Sequence, residues 1–176
     1  MKALTTAIFI VTLVIVTGCG KQENPAPKVD LHMAAITGNL EAIQQHIKAG
    51  SDLDTKEPTR GSTPLITATV FGKTAVAKAL IDAGADVNYQ NNEGSTPLMT
   101  AAFLCRTEIV KALLEKGADK TLRNKAGHTA LESVSRPFDD VKGAYEGLAA
   151  ALAPLGLNLD YERIKMTRPT IAEMLR

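Results

Sequence analysis

One block of this chain is written twice, and that repetition restricts the possible folds more than any other feature. Gly61-Ser-Thr-Pro-Leu65 returns as Gly94-Ser-Thr-Pro-Leu98, 33 positions later. At the same offset Ala68 returns as Ala101, Ala77-Lys78-Ala79-Leu80 is answered by Val110-Lys111-Ala112-Leu113, and Gly84-Ala85-Asp86 by Gly117-Ala118-Asp119. A third echo, Gly127-His-Thr-Ala-Leu131, keeps the interval. A fixed period of about 20 to 50 residues marks a stacked array, because a unit that short cannot cover its own apolar face and must lean on its neighbours.

Each unit has a physical reading. Thr63, Thr96 and Thr129 are placed to cap helix N-termini with their hydroxyls, and Pro64 and Pro97 take the first helical position, where a missing N–H costs nothing. A break follows at Gly38, Gly72 and the equivalent Cys105. A second helix then carries apolar residues at spacings of three and four, Val76, Ala77, Leu80 and Ile81 in one copy and Ile109, Val110, Leu113 and Leu114 in the next. Gly50, Gly84 and Gly117 end these helices, where a left-handed residue is needed. A polar connection leads to the next opening, so each unit is helix, turn, helix and a hairpin-like finger.

With Thr-Pro-Leu openings and Gly-Ala-Asp closings on this period, the chain resembles the ankyrin repeat. The resemblance implies an all-α solenoid of about four helix-turn-helix repeats, here over residues 29–152. Asp30-Leu-His-Met-Ala-Ala35 begins a first copy without the Thr-Pro cap, offset by 34 because the loop Glu57-Pro-Thr-Arg60 holds one extra residue. The fourth copy departs after Leu131, where Ser-Val-Ser-Arg-Pro137 intervenes. Val141 to Leu152 reads as a helix that closes the stack in place of the fourth unit's second helix. Residues 153–176 read as a tail with one short helix, Thr170 to Leu175, capped by Thr170.

Residues 1–18 are of a different kind. Lys2 supplies a minimal positive charge and Ala3 to Val16 is an apolar run short for a membrane span. Val16-Thr-Gly-Cys19 resembles the bacterial lipobox, which implies cleavage before Cys19 and acylation of its thiol. Several acyl chains, each worth about 0.8 kcal/mol per buried methylene, hold a protein at a membrane permanently. Gly20 rather than Asp after that cysteine points, by the same resemblance, to the periplasmic face of the outer membrane. Residues 19–28, with Pro25 and Pro27, form a polar tether.

The chain has 20 basic and 19 acidic side chains, and loses one of the former with Lys2. Such a balance gives no nucleic-acid footprint. Motifs for nucleophilic catalysis, zinc hydrolysis or phosphate cradling are missing from the sequence, and His32, His46 and His128 fall in separate units. No cofactor, metal or small-molecule substrate is expected. His32 stands where ankyrin repeats carry a structural histidine, and His46 aligns with Leu80 and Leu113 on a packed face. With Cys19 lipidated, Cys105 has no disulfide partner. It stands at a glycine position, which pushes its backbone toward positive φ, and it is either a redox-sensitive thiol or a tolerated small side chain.

The ankyrin resemblance implies a concave face built from fingers and first helices. The ends of the first helices carry Ile36, then Val70 and Phe71, then Phe103 and Leu104, an apolar pair on one rim in successive copies. The fingers add Arg60, Glu93 and His128. These eight residues are the expected contacts for a protein partner. The expected function is a non-enzymatic binding module of the bacterial envelope, either an immunity protein against a periplasm-acting toxin or lipase, or a helper of an envelope enzyme such as catalase. The rival is an enzyme with a site built from Asp139, Asp140, Tyr145, Tyr161 and Glu162.

Overall fold

A computed structural model describes residues 28–176; the expected leader, Cys19 and all but the last residue of the expected tether lie outside them. The described residues contain helices and no strand. Three helix pairs come first: α1 (Leu31–Thr37) with α2 (Leu40–Ala49), α3 (Pro64–Val70) with α4 (Thr74–Asp82), and α5 (Pro97–Phe103) with α6 (Thr107–Glu115). Then follow α7 (Ala130–Ser135), α8 (Phe138–Leu152) and α9 (Tyr161–Leu175).

The sequence rules act as read. The hydroxyls of Thr63, Thr96 and Thr129 accept from the N–H groups of Ile66, Met99 and Glu132. The first unit starts without Thr-Pro because Asp30 does the capping, its carboxylate accepting from the N–H of both His32 and Met33. First helices pack side by side, α1 on α3, α3 on α5 and α5 on α7, while α2, α4 and α6 form the outer layer. Ala34, Ala68 and Ala101 are fully buried between these layers, where a larger side chain would hold neighbouring units apart.

The fingers are tied to one another by backbone groups. The N–H of Asn92 donates to Arg60 O at 2.9 Å, and that of Lys125 to Glu93 O at 3.0 Å. Within a finger, the Asn91 side chain accepts from the N–H of Glu93 and Ser95, and the Asn124 side chain from those of Ala126 and His128. In the first finger Glu57 takes this role, accepting from Thr59, Arg60 and Ser62. A glutamate is one methylene longer than an asparagine, which suits a loop one residue longer. Burial works to raise the Glu57 pKa, but the three N–H donors prevail and hold it below the usual value.

The C-terminal quarter departs from expectation twice. The fourth unit's second helix is α9, which packs on α7 and also touches α5 and α6; residues 141–152 do not fill that place. Earlier units turn through a left-handed residue, Gly72 with φ 64 or Cys105 with φ 53, and return along the outer layer. At the corresponding point Arg136 precedes Pro137 and is forced into extended backbone, with ψ 147. The chain therefore leaves on the concave side as α8, and comes back through the left-handed Gly156 and the buried Leu157 and Leu159 to begin α9. The second correction concerns the short helix at Thr170. The helix starts nine residues earlier, where Asp160 accepts from the Arg163 N–H at 2.9 Å. Pro169 lies inside it and hides its continuity in the sequence.

A side-chain rule confirms the register. The aliphatic stem of Lys73 lies over Gly38, and the guanidinium of Arg106 lies over Gly72 while donating to Val70 O at 2.9 Å. From α9, Arg163 reaches Cys105 O at 3.2 Å. A basic side chain from the next unit thus meets the carbonyl end of each first helix, where orphan acceptors collect.

Candidate functional site

The concave side holds a groove of about 630 Å³. Its base comes from the C-terminal ends of α1, α3 and α5, its rim from the fingers, and its far wall from α8. All eight residues expected to contact a partner line it: Ile36, Arg60, Val70, Phe71, Glu93, Phe103, Leu104 and His128. Residues 33 apart along the chain fall in line because the array repeats on that interval. Ile36, Val70 and Phe71 are half-buried and offer apolar surface to the groove.

Two members offer less surface than the others. Leu104 is only 1% exposed and belongs to the core, so it has little surface left for a partner. Phe103 is partly covered from within, its ring stacked on that of Tyr145 with centroids 4.2 Å apart. The cover is α8, whose Val141, Leu148 and Leu152 add to the groove wall. Their spacing with Tyr145 was legible as one helix face, but nothing in the sequence told that this face turns onto the first helices.

On the rim, Arg60 Nε donates to Glu93 Oε1 at 3.2 Å across neighbouring fingers. Both side chains are almost half exposed, so the pair contributes at most about 1 kcal/mol and is free to open for a ligand. His128 is half-buried and its backbone N–H is held by Asn124. His32 also lines the groove, its Nδ1 buried without a partner among the described residues. His46 is structural: Nε2 donates to Val29 O at 2.7 Å and Nδ1 accepts from the Ser51 hydroxyl at 3.0 Å.

At one end of the groove a polar clasp fixes α8. The Tyr145 hydroxyl donates to Phe103 O at 2.6 Å and accepts from Arg168 Nη1 at 2.7 Å. Arg168, 4% exposed, also donates through Nη2 to Ser133 O and Arg136 O at 3.2 and 2.7 Å. Burial raises the Tyr145 hydroxyl to about 12 from 10.0, Arg168 pulling the other way. A fully occupied hydroxyl with that pKa makes no general base, which removes one residue from the enzyme reading. Asp139 and Asp140 are exposed in the first turn of α8. Among the described residues no cluster of three His, Cys, Asp or Glu side chains has the geometry to hold a metal ion.

Cys105 takes the predicted positive φ, and its buried thiol donates to Ile164 O at 3.5 Å. Burial raises it to about 11 from 9.0 against the pull of Arg168, Arg163 and Arg106. Such a thiol is a poor nucleophile, which favours the structural reading. Both shifted groups lose a proton to become anions, and the native state holds that proton more tightly than the unfolded chain. Their stabilisation is therefore complete below pH 9 and declines as pH rises, through 9 to 11 for Cys105 and 10 to 12 for Tyr145. Urea unfolding should show a loss on the order of 2 kcal/mol by the top of the first window. A Cys105→Ser variant should lack that first decline; an identical profile for both proteins assigns the loss elsewhere.

An apolar groove with a polar rim, built on stacked helix pairs, has the architecture of a repeat-built binding module. The chain belongs to the ankyrin repeat family: the profile described as ankyrin repeats (3 copies) matches residues 31–124. It is 36% identical over 58 residues to the DNA-binding protein RFXANK of Homo sapiens, covering 33% of this chain and 22% of that protein. It is 36% identical over 70 residues to protein phosphatase 1 regulatory subunit 27 of Mus musculus, covering 40% of this chain and 45% of that one. To ankyrin repeat and SAM domain-containing protein 6 of Mus musculus it is 37% identical over 57 residues, or 32% of this chain and 6% of that one. The chain thus spans less than half the length of each of these relatives. Ankyrin repeats form protein-interaction modules, and the first two of these relatives bear the names of a binding and a regulatory protein.

Proposed function

We propose that the protein is a lipid-anchored adaptor of the bacterial envelope that holds a protein partner in its concave groove and performs no chemistry on it. The observation that carries the binding half is the convergence of Ile36, Val70, Phe71, Arg60, Glu93 and His128 on one apolar groove with an openable polar rim. The anchor rests on the leader and on Cys19, which follows Val16-Thr-Gly. The partner relationship proposed is that of an inhibitor covering a toxin or lipase that arrives in the periplasm. Nucleic acid is not the expected ligand, because the chain is nearly neutral.

Phe71 is the residue to test. Burial by a partner of what remains exposed on its half-buried ring contributes about 1 kcal/mol, and an aspartate there would instead bury a charge. A Phe71→Asp full chain should lose a partner captured by the wild type by tenfold or more, roughly 1.4 kcal/mol or above, while still melting cooperatively. Equal recovery by both proteins removes the groove from the reading. Cys19→Ser should move the protein from the membrane to the soluble fraction, and persistence at the membrane removes the lipid anchor.

A further inference from the structure

We infer that the cleft between the α7–α8 corner and α9 docks an acidic polypeptide segment. The cleft measures about 400 Å³ and is lined by Arg136, Lys165, Arg168 and Arg176, with Phe138 and Pro169 as apolar walls and no Asp or Glu side chain in its lining. In a chain with 20 basic and 19 acidic side chains, three cations without an acidic partner, Arg136, Lys165 and Arg168, gathered beside a fourth, are a local asymmetry.

Apart from that of Arg176, this positive charge has no acidic partner among the described residues. Arg168 is buried, and its acceptors, the Tyr145 hydroxyl and the carbonyls of Ser133 and Arg136, are all neutral. Its hydrogen bonds are satisfied while its charge stays uncompensated, and low-dielectric surroundings project such a field into the cleft. Arg136 and Lys165 form no ion pair among the described residues. Lys165 Nζ lies 6.0 Å from the Phe138 ring centroid, held over the cleft wall. Arg176 alone is paired, with Glu173. Asp139 and Asp140 follow Phe138 in sequence but do not line the cleft.

The geometry selects the kind of anion. Phosphate sites use converging donors and bidentate guanidinium forks, whereas both Nη atoms of Arg168 are already committed to the protein. Cations spread along apolar walls suit carboxylates spaced along a peptide. Arg136 lines both this cleft and the concave groove, so an acidic stretch flanking a groove-bound segment meets the cleft without a gap. The cleft site does not depend on the groove being occupied.

The test is fluorescence anisotropy of labelled decaglutamate with the full chain at low salt and at about 0.15 M, where the screening length is about 8 Å. Saturable binding is expected that weakens with salt, drops about tenfold in Arg136→Gln/Lys165→Gln, and is unchanged in Lys28→Gln/Lys48→Gln at the opposite end of the stack. Absence of binding at low salt, or equal losses in the two double variants, overturns the proposal. So does displacement by pyrophosphate or oligothymidylate more readily than by unlabelled decaglutamate, since either marks a phosphate site. Loss in Phe71→Asp alone assigns the peptide to the groove and also overturns the cleft, whereas failure of the groove reading leaves this result untouched.

Discussion

Ending the chain after Asp160 will unfold the last unit while the first two remain folded. The truncation removes α9, whose Ile164, Ile171 and Leu175 are all buried against the array. Burial of each such side chain contributes about 1.5 to 3 kcal/mol, in a class of molecule whose net stability is about 5 to 15 kcal/mol. It also takes away Arg168, leaving the Tyr145 hydroxyl and the carbonyls of Ser133 and Arg136 without their donor. Because a repeat array is stabilised between nearest neighbours, the damage is expected to stay local. Hydrogen exchange should show protection lost over residues 130–152 and kept over α3 and α4. A truncated protein with full protection in α7 and α8 would mean that α9 is peripheral.

Arg168→Met will have the second-largest effect, about 3 kcal/mol measured by urea unfolding. The side chain keeps much of its apolar bulk, so the loss isolates the guanidinium. A charged donor making hydrogen bonds in a buried site contributes about 1.5 to 3 kcal/mol, and each acceptor left bare adds to the cost. Lysine is expected to rescue less than half, since one ammonium cannot span three acceptors that a planar guanidinium meets together. Tyr145→Phe should cost about 1 kcal/mol alone by removing its bond to Phe103 O. In the double variant the losses should fall short of their sum by at least about 0.5 kcal/mol, because the two groups bond each other. Strict additivity would show that the clasp does not act as a unit. If α8 loosens in these variants, groove binding should change with it, which separates this region from an inert cap.

The two predictions concern the part of the chain that was least legible. Thr63-Pro64 and Thr96-Pro97 announced their helices because capping and proline placement act over a few residues. Gly72 and Cys105 announced their turns for the same reason, and the 33-residue interval then placed Ile36, Val70 and Phe71 on one side of the stack. The burial of Leu104 is not legible in the sequence, because periodicity tells that two neighbours stand at a helix end, not which of them points inward.

What the sequence determined by itself was the module, its repetition and the rim that repetition creates. Those follow from interactions between residues close in the chain, or one period apart. Tertiary structure decided which C-terminal helix completes the stack and which folds across the concave side. That choice turns on the extended Arg136 before Pro137 and on contacts between residues 23 to 59 positions apart, Arg168 with Tyr145 and Ile164 with Cys105 among them. No local pattern records such pairings, because their free energy exists only once the array is assembled around them.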